Sequence, residues 1–237
     1  MKRNDFEHNG LDQAMALSDM YALLAVAYRF PTLELAEGLC DGSYRKDCMT
    51  TCETLGIALG NQTLGALDAY LSKRIDKPQV LFEEMRKDYT RLYIAPHDTA
   101  IPIYESLYRS RKRGDSEEIL LFVNDCTMHV AQLYRKAGVH MVKDVGEPED
   151  HLSVEFEFMR YLYLCVARSL RNESSEEYAR YFEMLREFED VHLSQWVEDF
   201  MQESKEAASA PVYRTICDLG SIFYDCSFNP ASKSDCS

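Results

Sequence analysis

Apolar side chains recur at steps of three and four residues along most of the chain, which is the period of an amphipathic α-helix. The stripes cover residues 11–30, 32–39, 44–59, 63–75, 80–93, 103–108, 116–138, 152–170, 176–204 and 213–223. No alternating period-two run long enough for a half-buried strand occurs in the sequence. The pattern therefore predicts an all-α fold, a single-domain helical bundle of about eight to ten helices.

Turn-forming residues set the boundaries of this bundle. Only 10 glycines and 7 prolines occur in 237 residues, which favours long helices over many short turns. Residues 94–102 contain two prolines and no helical period, so we expect a loop that crosses between helices. We assign residues 1–228 to one all-helical domain and residues 229–237 to a polar C-terminal tail.

The net charge of −14 at pH 7 argues against nucleic acid as a partner, because a phosphate backbone would be repelled. Eight scattered cysteines without a C-x-x-C spacing indicate reduced thiols. Cys126 and Cys165 lie on apolar stripes and are expected to behave as small hydrophobic residues. No apolar run approaches the ~18 residues of a membrane span, and no signal peptide is visible. We therefore expect a cytoplasmic protein without stable membrane insertion.

The densest polar stretch is residues 147–159, which hold five acidic residues, a proline and a histidine. We refer to residues 147–151, E-P-E-D-H, as the acidic turn. Asp150 is placed to cap a helix that starts at His151 or Leu152, and His151 and Glu155 share one helical face. These side chains suit recognition of a cationic partner or proton chemistry at His151, whereas the alternative is an ordinary capped helix start.

A metal site at the acidic turn has little support, and we predict no metal and no cofactor. Glu147, His151 and Glu155 would be its ligands, but the second histidine of an H-E-x-x-H zinc motif is missing. Glycine-rich phosphate-binding loops are absent from the sequence as well. No catalytic residue is assigned, and a hydrolase that uses His151 with neighbouring carboxylates is only an alternative.

A second notable stretch, residues 89–108, places four tyrosines and two prolines around the predicted loop. Tyrosines combine an apolar ring with a polar tip and suit peptide binding, but they equally suit the core beneath a crossing loop. Four cations follow at residues 109–113, where the end of a helix favours positive charge and an anion site is the alternative. His129 and Trp196 each lie on the apolar face of their own predicted helix, so we expect both side chains in the core.

Three motifs, in this order, resemble one protein family. They are Y-x-x-L-Y-x-x-P…P-x-Y-E-S-x-Y at residues 89–108, E-P-E-D-H-L-x-x-E-F-x-F-M at residues 147–159 and F-x-x-x-H-L-x-x-W-x-x-x-F at residues 188–200. Together they are similar to the TorD/DmsD-type (NarJ-like) redox-enzyme maturation chaperones. The match covers residues 80–200, and Ile103 and Phe156 are mild departures from the family pattern.

The resemblance implies an all-helical, cytoplasmic chaperone that is not an enzyme. Members of the family bind the twin-arginine signal peptide and the apo form of a molybdenum-cofactor oxidoreductase subunit. They assist cofactor insertion and proofreading before Tat export. The residues implied for signal-peptide binding are Leu92, Tyr93, Tyr104, Glu105, Ser106, Tyr108, Glu147, Pro148, Asp150, His151 and Glu155. A generic acidic helical adaptor is the alternative.

Carboxylates of the acidic turn suit the two guanidiniums of such a peptide, through charge-assisted hydrogen bonds. We expect Asp150, Glu147 and Glu155 to receive an arginine. Replacing Asp150 or His151 by alanine would then weaken peptide binding with little loss of the fold. The client stays open among dimethyl sulfoxide, trimethylamine oxide, nitrate, selenate and related reductases, and the chain is expected as a monomer or a domain-swapped dimer.

Overall fold

The structure is a computed structural model that describes residues 3–59, 61–94, 101–114, 124–140 and 146–228. These residues form eleven α-helices, and the all-α prediction is confirmed. The helices are α1 (Arg3–Tyr28), α2 (Leu33–Cys40), α3 (Ser43–Leu55), α4 (Asn61–Leu71), α5 (Pro78–Tyr89), α6 (Glu105–Arg113), α7 (Asp125–Lys136), α8 (Leu152–Arg171), α9 (Ser175–Val191), α10 (Val197–Ala207) and α11 (Pro211–Phe228). A π-helical turn, Thr90–Ile94, follows α5, and a 3₁₀ turn, Leu193–Gln195, follows α9. None of the helices in the described ranges has the length and apolar character needed to cross a bilayer.

Two predicted helices each have one boundary that the structure corrects. The helix predicted over residues 176–204 is broken into α9 and α10, because His192 (φ −113°, ψ −80°) leaves the helical conformation and a 3₁₀ turn follows. The helix predicted from residue 116 begins at Asp125, where the Asn124 side chain accepts a hydrogen bond from Thr127 N at 2.9 Å and caps α7. Periodicity missed both boundaries because apolar residues continue in phase across them. The predicted tail at 229–237, residues 95–100 of the predicted loop and residues 116–123 of the predicted helix lie outside the described residues.

The chain divides into two compact units, and each is described by itself. The first unit contains Met1–Ala25 and Pro102–Val197. Its core forms around α8, which packs along α9. Leu152 and Met159 of α8 are fully buried. The Phe158 ring of α8 lies 4.9 Å from the Phe188 ring of α9 at an angle of 69°, an edge-to-face arrangement that aromatic rings favour.

The second unit contains Val26–Ile101 and Glu198–Ser237. In it α2 packs against α3 and α5, and α4 packs against α11. Thr32 caps α2, which lies within the stripe predicted over residues 32–39, since its hydroxyl accepts a hydrogen bond from Leu35 N at 3.2 Å.

Buried tyrosines form the centre of the second unit. The Tyr89 hydroxyl donates to the carbonyl of Tyr28 at 3.1 Å, and the Tyr93 ring stacks on Phe200 at 5.5 Å. These tyrosines of the 89–108 stretch are therefore core residues, which was the alternative to a binding surface.

A buried carboxylate connects α5 to the start of α11 in the second unit. Asp88 accepts hydrogen bonds from Ser209 Oγ at 2.6 Å and from Ala210 N at 3.1 Å. Arg91 Nη2 donates to the same carboxylate at 2.6 Å. Asp88 is only 5% exposed, which leaves its charge little contact with water. The three donors therefore take the place of water in stabilising that charge.

Candidate functional site

Backbone hydrogen bonds join the two predicted motifs of the first unit. Glu105 N donates to the carbonyl of Asp150 at 2.9 Å, and Leu152 N donates to the carbonyl of Ile103 at 3.1 Å. Between these bonds, the chain forms the one isolated antiparallel β-bridge found in the described residues. The start of α6 is therefore fixed against the start of α8, although the two are far apart in sequence.

The prediction that Asp150 caps α8 is wrong, because His151 takes that position. His151 is the N-cap residue, and its Nδ1 accepts a hydrogen bond from Ser153 N at 3.1 Å. Asp150 lies one residue earlier and points to α6, where its Oδ2 accepts from Ser106 N at 3.0 Å. The acidic turn therefore caps two helices, each with a different side chain. The predicted start of this helix, at His151 or Leu152, is confirmed.

A buried group of side chains lies behind these caps, and we call it the acid cluster: Glu105, Asp150, Glu155 and His192. The three acids are 0% exposed and His192 is 2% exposed. Both oxygens of Glu105 have a partner, since His192 Nδ1 lies 2.6 Å from Oε2 and Arg109 Nη1 donates to Oε1 at 2.5 Å. Positive charge from Arg109, and from His192 when protonated, thus offsets one buried carboxylate.

A second histidine extends this network. His129 Nδ1 lies 2.9 Å from His192 Nε2, with the two rings stacked at 5.0 Å. One of these two nitrogens must carry a proton and the other must accept it. His129, which the sequence places in the core, is only half-buried. The network therefore runs from the buried carboxylate of Glu105 to a side chain in contact with solvent.

Burial and neighbouring charges separate the members of the acid cluster by protonation state. Burial raises the pKa of Glu155 well above its usual range, and the charges of Glu105 and Asp150 raise it further. Burial also raises the pKa of Asp150, against the hydrogen bonds from Ser106. Burial opposes ionisation of Glu105 too, but the hydrogen bond and charge of His192 hold its pKa below the usual range. Glu105 is therefore ionised, whereas burial favours a neutral Glu155.

The hydrogen bonding of Glu155 is incomplete, although the side chains of Glu105 and Trp196 lie beside it. Within the described part of the chain, no hydrogen bond of standard geometry reaches either of its carboxyl oxygens. Protonation removes the charge but leaves a hydroxyl and a carbonyl that still need partners. Leaving such a buried group unsatisfied costs about 1–3 kcal/mol, and perturbed carboxyls of this kind concentrate at functional sites.

Cys126 differs from the small hydrophobic residue that the sequence predicts. It is half-buried in the first turn of α7, and burial, followed by the charge of Glu105, raises the pKa of its thiol. Glu105, Cys126 and His192 each offer one ligand atom, and these atoms lie within 4.8 Å of one another. Among the described residues, this is the set whose geometry suits a metal ion. The set considered from the sequence, with Glu147 and His151, is not brought together in this way.

The accessible edge of the site consists of Tyr104, Glu147 and Glu149, all half-buried. The Tyr104 hydroxyl donates to Glu147 Oε2 at 2.9 Å. The Tyr134 hydroxyl donates to the carbonyl of Glu149 at 2.9 Å, and Pro148 between the two acids is buried. A partner that approaches this edge therefore meets one phenol and two carboxylates on a turn that is held in place.

A family model described as "Nitrate reductase delta subunit" matches residues 58–202 of the chain. The chain belongs to this family. It is also similar to a perchlorate reductase assembly chaperone protein from Dechloromonas aromatica (strain RCB), with 25% identity over 223 residues that cover 91% of this chain and 89% of the relative. The resemblance to redox-enzyme maturation chaperones is thereby confirmed. Both descriptions agree with a non-enzymatic role in reductase assembly.

The residues predicted for signal-peptide binding in this nitrate reductase delta subunit family member differ in burial and belong to both units. Leu92 and Tyr93 belong to the second unit, where both are buried in its core. The others belong to the first unit. Of these, Tyr104 and Glu147 are half-buried, and the rest are buried: Glu105, Ser106, Tyr108, Pro148, Asp150, His151 and Glu155.

Three members of the network were missed from the sequence: Arg109, Cys126 and His192. Arg109 follows Glu105 by four residues on α6, and that spacing is a readable signal for an ion pair. His192 stands in the third motif, but its apolar neighbours suggested core packing. Cys126 gave no signal, because the residues around it on α7 continue an apolar stripe.

Proposed function

We propose that this family member is a cytoplasmic chaperone for a molybdenum-cofactor oxidoreductase. It binds the twin-arginine signal peptide and the apo form of the catalytic subunit, assists cofactor insertion and proofreads before Tat export. The observation that carries the proposal is the backbone pairing of the two motifs, which presents Tyr104 and Glu147 together at the edge of the acid cluster. The likeness to a reductase assembly chaperone supports a reductase as the client.

The chemistry of the accessible edge suits an arginine side chain. A carboxylate accepts about four hydrogen bonds, so Glu147 can keep the bond from Tyr104 and still receive a guanidinium. Arginine–carboxylate pairs of this kind are charge-assisted and are stronger than neutral hydrogen bonds. The net charge of −14 speeds the encounter with a cationic peptide.

Burial divides the predicted residues into two roles. We assign direct contact with the peptide to Tyr104 and Glu147, together with the neighbouring Glu149. Asp150 and Glu155 are fully buried, so in this proposal they position the edge and do not receive the arginine themselves. The expectation that Asp150→Ala leaves the fold intact is revised for the same reason.

Calorimetric titration with a panel of twin-arginine signal peptides tests the proposal. We expect at least one peptide to bind, and we expect Glu147→Gln to weaken binding by about tenfold, the loss of one charge-assisted bond. A peptide in which both arginines are replaced by lysine should lose a similar factor, because lysine lacks the planar fork of donors.

Glu176→Gln is the matched control, since it removes one exposed negative charge from α9 in the same unit. If both variants weaken binding equally, the effect is general electrostatics and the assignment to the acidic turn is wrong. Failure of every peptide in the panel to bind would refute the proposed function.

A further inference from the structure

The acid cluster carries a second inference, which does not rest on the proposed function. We propose that Glu105, Cys126 and His192 form a site for one divalent transition-metal cation of the zinc class, which Glu155 completes by moving toward the ion. A thiolate, an imidazole and carboxylates are the donors that zinc takes in proteins, whereas magnesium and calcium take oxygen ligands only. The four residues come from four separate elements, so the fold and not a sequence motif assembles the set.

The distances fit a site that closes on the ion. The ligand atoms of Glu105, Cys126 and His192 lie within 4.8 Å of one another. Around a tetrahedral zinc with bonds of about 2.0–2.3 Å, ligand atoms are about 3.3–3.8 Å apart. Binding therefore requires separations of up to 4.8 Å to shorten by about 1.0–1.5 Å, which rotation of the half-buried Cys126 supplies most readily. The 2.6 Å separation of His192 Nδ1 and Glu105 Oε2 has to widen by about 0.7 Å or more.

Glu155 is the independent observation that points to a ligand. Its side chain is 0% exposed, and its carboxyl lies beside the side chains of Glu105 and Trp196 without a hydrogen bond of standard geometry among the described residues. Without an ion, this buried carboxyl keeps only poorly aligned contacts with Glu105 and Trp196, at a cost in free energy. A cation beside Glu105 satisfies Glu155 and explains why an acid occupies the position.

The residues around the set already have the arrangement of an outer coordination shell. A histidine that binds metal through one ring nitrogen donates its other N–H to a neighbour. With Nδ1 of His192 on the metal, Nε2 donates to His129 Nδ1, 2.9 Å away. Arg109 holds the remaining oxygen of Glu105. Three negative ligands would balance the two charges of the metal and the one of Arg109.

The site also has an entry side and a structural consequence. Cys126 and His129 are half-buried, so an ion reaches the cluster from the α7 side. The bound ion would link the first turns of α6, α7 and α8 to the residue that ends α9. It would therefore stabilise the junction beneath the acidic turn.

Cobalt(II) and zinc titrations of the untagged, reduced full chain test this site. We expect one Co²⁺ per chain, with the near-ultraviolet charge-transfer absorption of a thiolate–cobalt bond, and displacement of the cobalt by Zn²⁺. Cys126→Ser should abolish that absorption and weaken zinc binding by more than about tenfold. Glu155→Gln, which keeps the shape of the side chain, should weaken zinc binding as well.

Cys165→Ser is the matched control, because Cys165 is a buried free thiol in the same unit outside the set. It should bind cobalt and zinc as the unmodified chain does. Circular dichroism of each variant without metal checks that the fold is retained. The proposal is overturned if no thiolate band appears, if the band survives in Cys126→Ser, or if Glu155→Gln binds zinc with unchanged affinity.

Discussion

Asp150 gives the sharpest test of how the acidic turn is built, because its carboxylate caps a helix from another part of the chain. Tyr104, the residue in the cap position of α6, offers no side-chain cap of its own. The amide of Ser106 therefore depends on Asp150 Oδ2 at 3.0 Å. Losing a helix cap costs about 1 kcal/mol, and a buried amide left unpaired costs about 1–3 kcal/mol. We expect Asp150→Ala to lower the free energy of unfolding by about 2 kcal/mol.

Asp150→Asn separates the hydrogen bond from the charge. The amide oxygen can still accept from Ser106 N. The neutral side chain also avoids the cost of burying a negative charge, which is what raises the pKa of Asp150. We expect this variant to lose less than about 1 kcal/mol. Chemical denaturation followed by circular dichroism measures both, and about 2 kcal/mol corresponds to a fall of about 4–8 °C in Tm for a chain of this size.

Glu149→Gln is the control, since Glu149 is half-buried in the same turn and its carbonyl, not its side chain, holds the bond from Tyr134. Its stability should equal that of the unmodified protein. The capping argument fails if Asp150→Ala is as stable as the unmodified protein. It also fails if Asp150→Asn is as destabilised as Asp150→Ala, because the charge would then matter more than the bond.

Two further predictions concern acids outside the acid cluster, the half-buried Glu189 and the buried Asp88. Burial, and then the charge of Asp190, raises the pKa of Glu189 to about 8. Because this pKa is higher in the folded state than in the unfolded state, the folded protein loses stability as pH rises from about 4.5 through about 8. The free energy of unfolding of Glu189→Gln should therefore equal that of the unmodified protein near pH 4. Near pH 9 it should be larger by about 1–2 kcal/mol, a value discounted for the partial exposure of Glu189. Urea titrations measure both, and equal stability of the two proteins at both pH values would contradict this prediction. Although burial opposes it, hydrogen bonds from Ser209 and Arg91 hold the pKa of Asp88 below its usual range, so its contribution is present above about pH 4 and is lost as pH falls through the lowered pKa. Asp88→Ala should lower the free energy of unfolding by about 2 kcal/mol at pH 7, as measured by urea denaturation. Glu83→Gln, at an exposed position on the same helix, is the control and should leave the free energy of unfolding unchanged.

Helical periodicity predicted the fold class and the start of α8 because both depend on neighbours within a few turns. The helix over residues 32–39 was predicted for the same reason, and its cap, Thr32, bonds to a residue only three positions away. The break at His192 was not predicted, because both sides of it are apolar and in phase. The Asp150–Ser106 bond spans 44 residues and the His192–Glu105 contact spans 87, so no local pattern contains them.

The acidity of residues 147–159 is misleading as a guide to the surface, and the structure gives the reason. Of the acids in this stretch, Asp150 and Glu155 are fully buried, whereas Glu147, Glu149 and Glu157 are half-buried. A guanidinium that reached Asp150 would have to displace Ser106 N and open the first turn of α6, at a cost of about 1 kcal/mol or more. The guanidinium would also lose its hydration at this buried carboxylate, and that desolvation penalty can exceed the attraction between the two charges, so the exchange gains nothing. Glu147 can accept the same guanidinium while it keeps the bond from Tyr104. Under the proposed function, direct recognition of a cationic peptide therefore falls to Glu147, and the role we propose for the buried acids is to fix the position of Glu147.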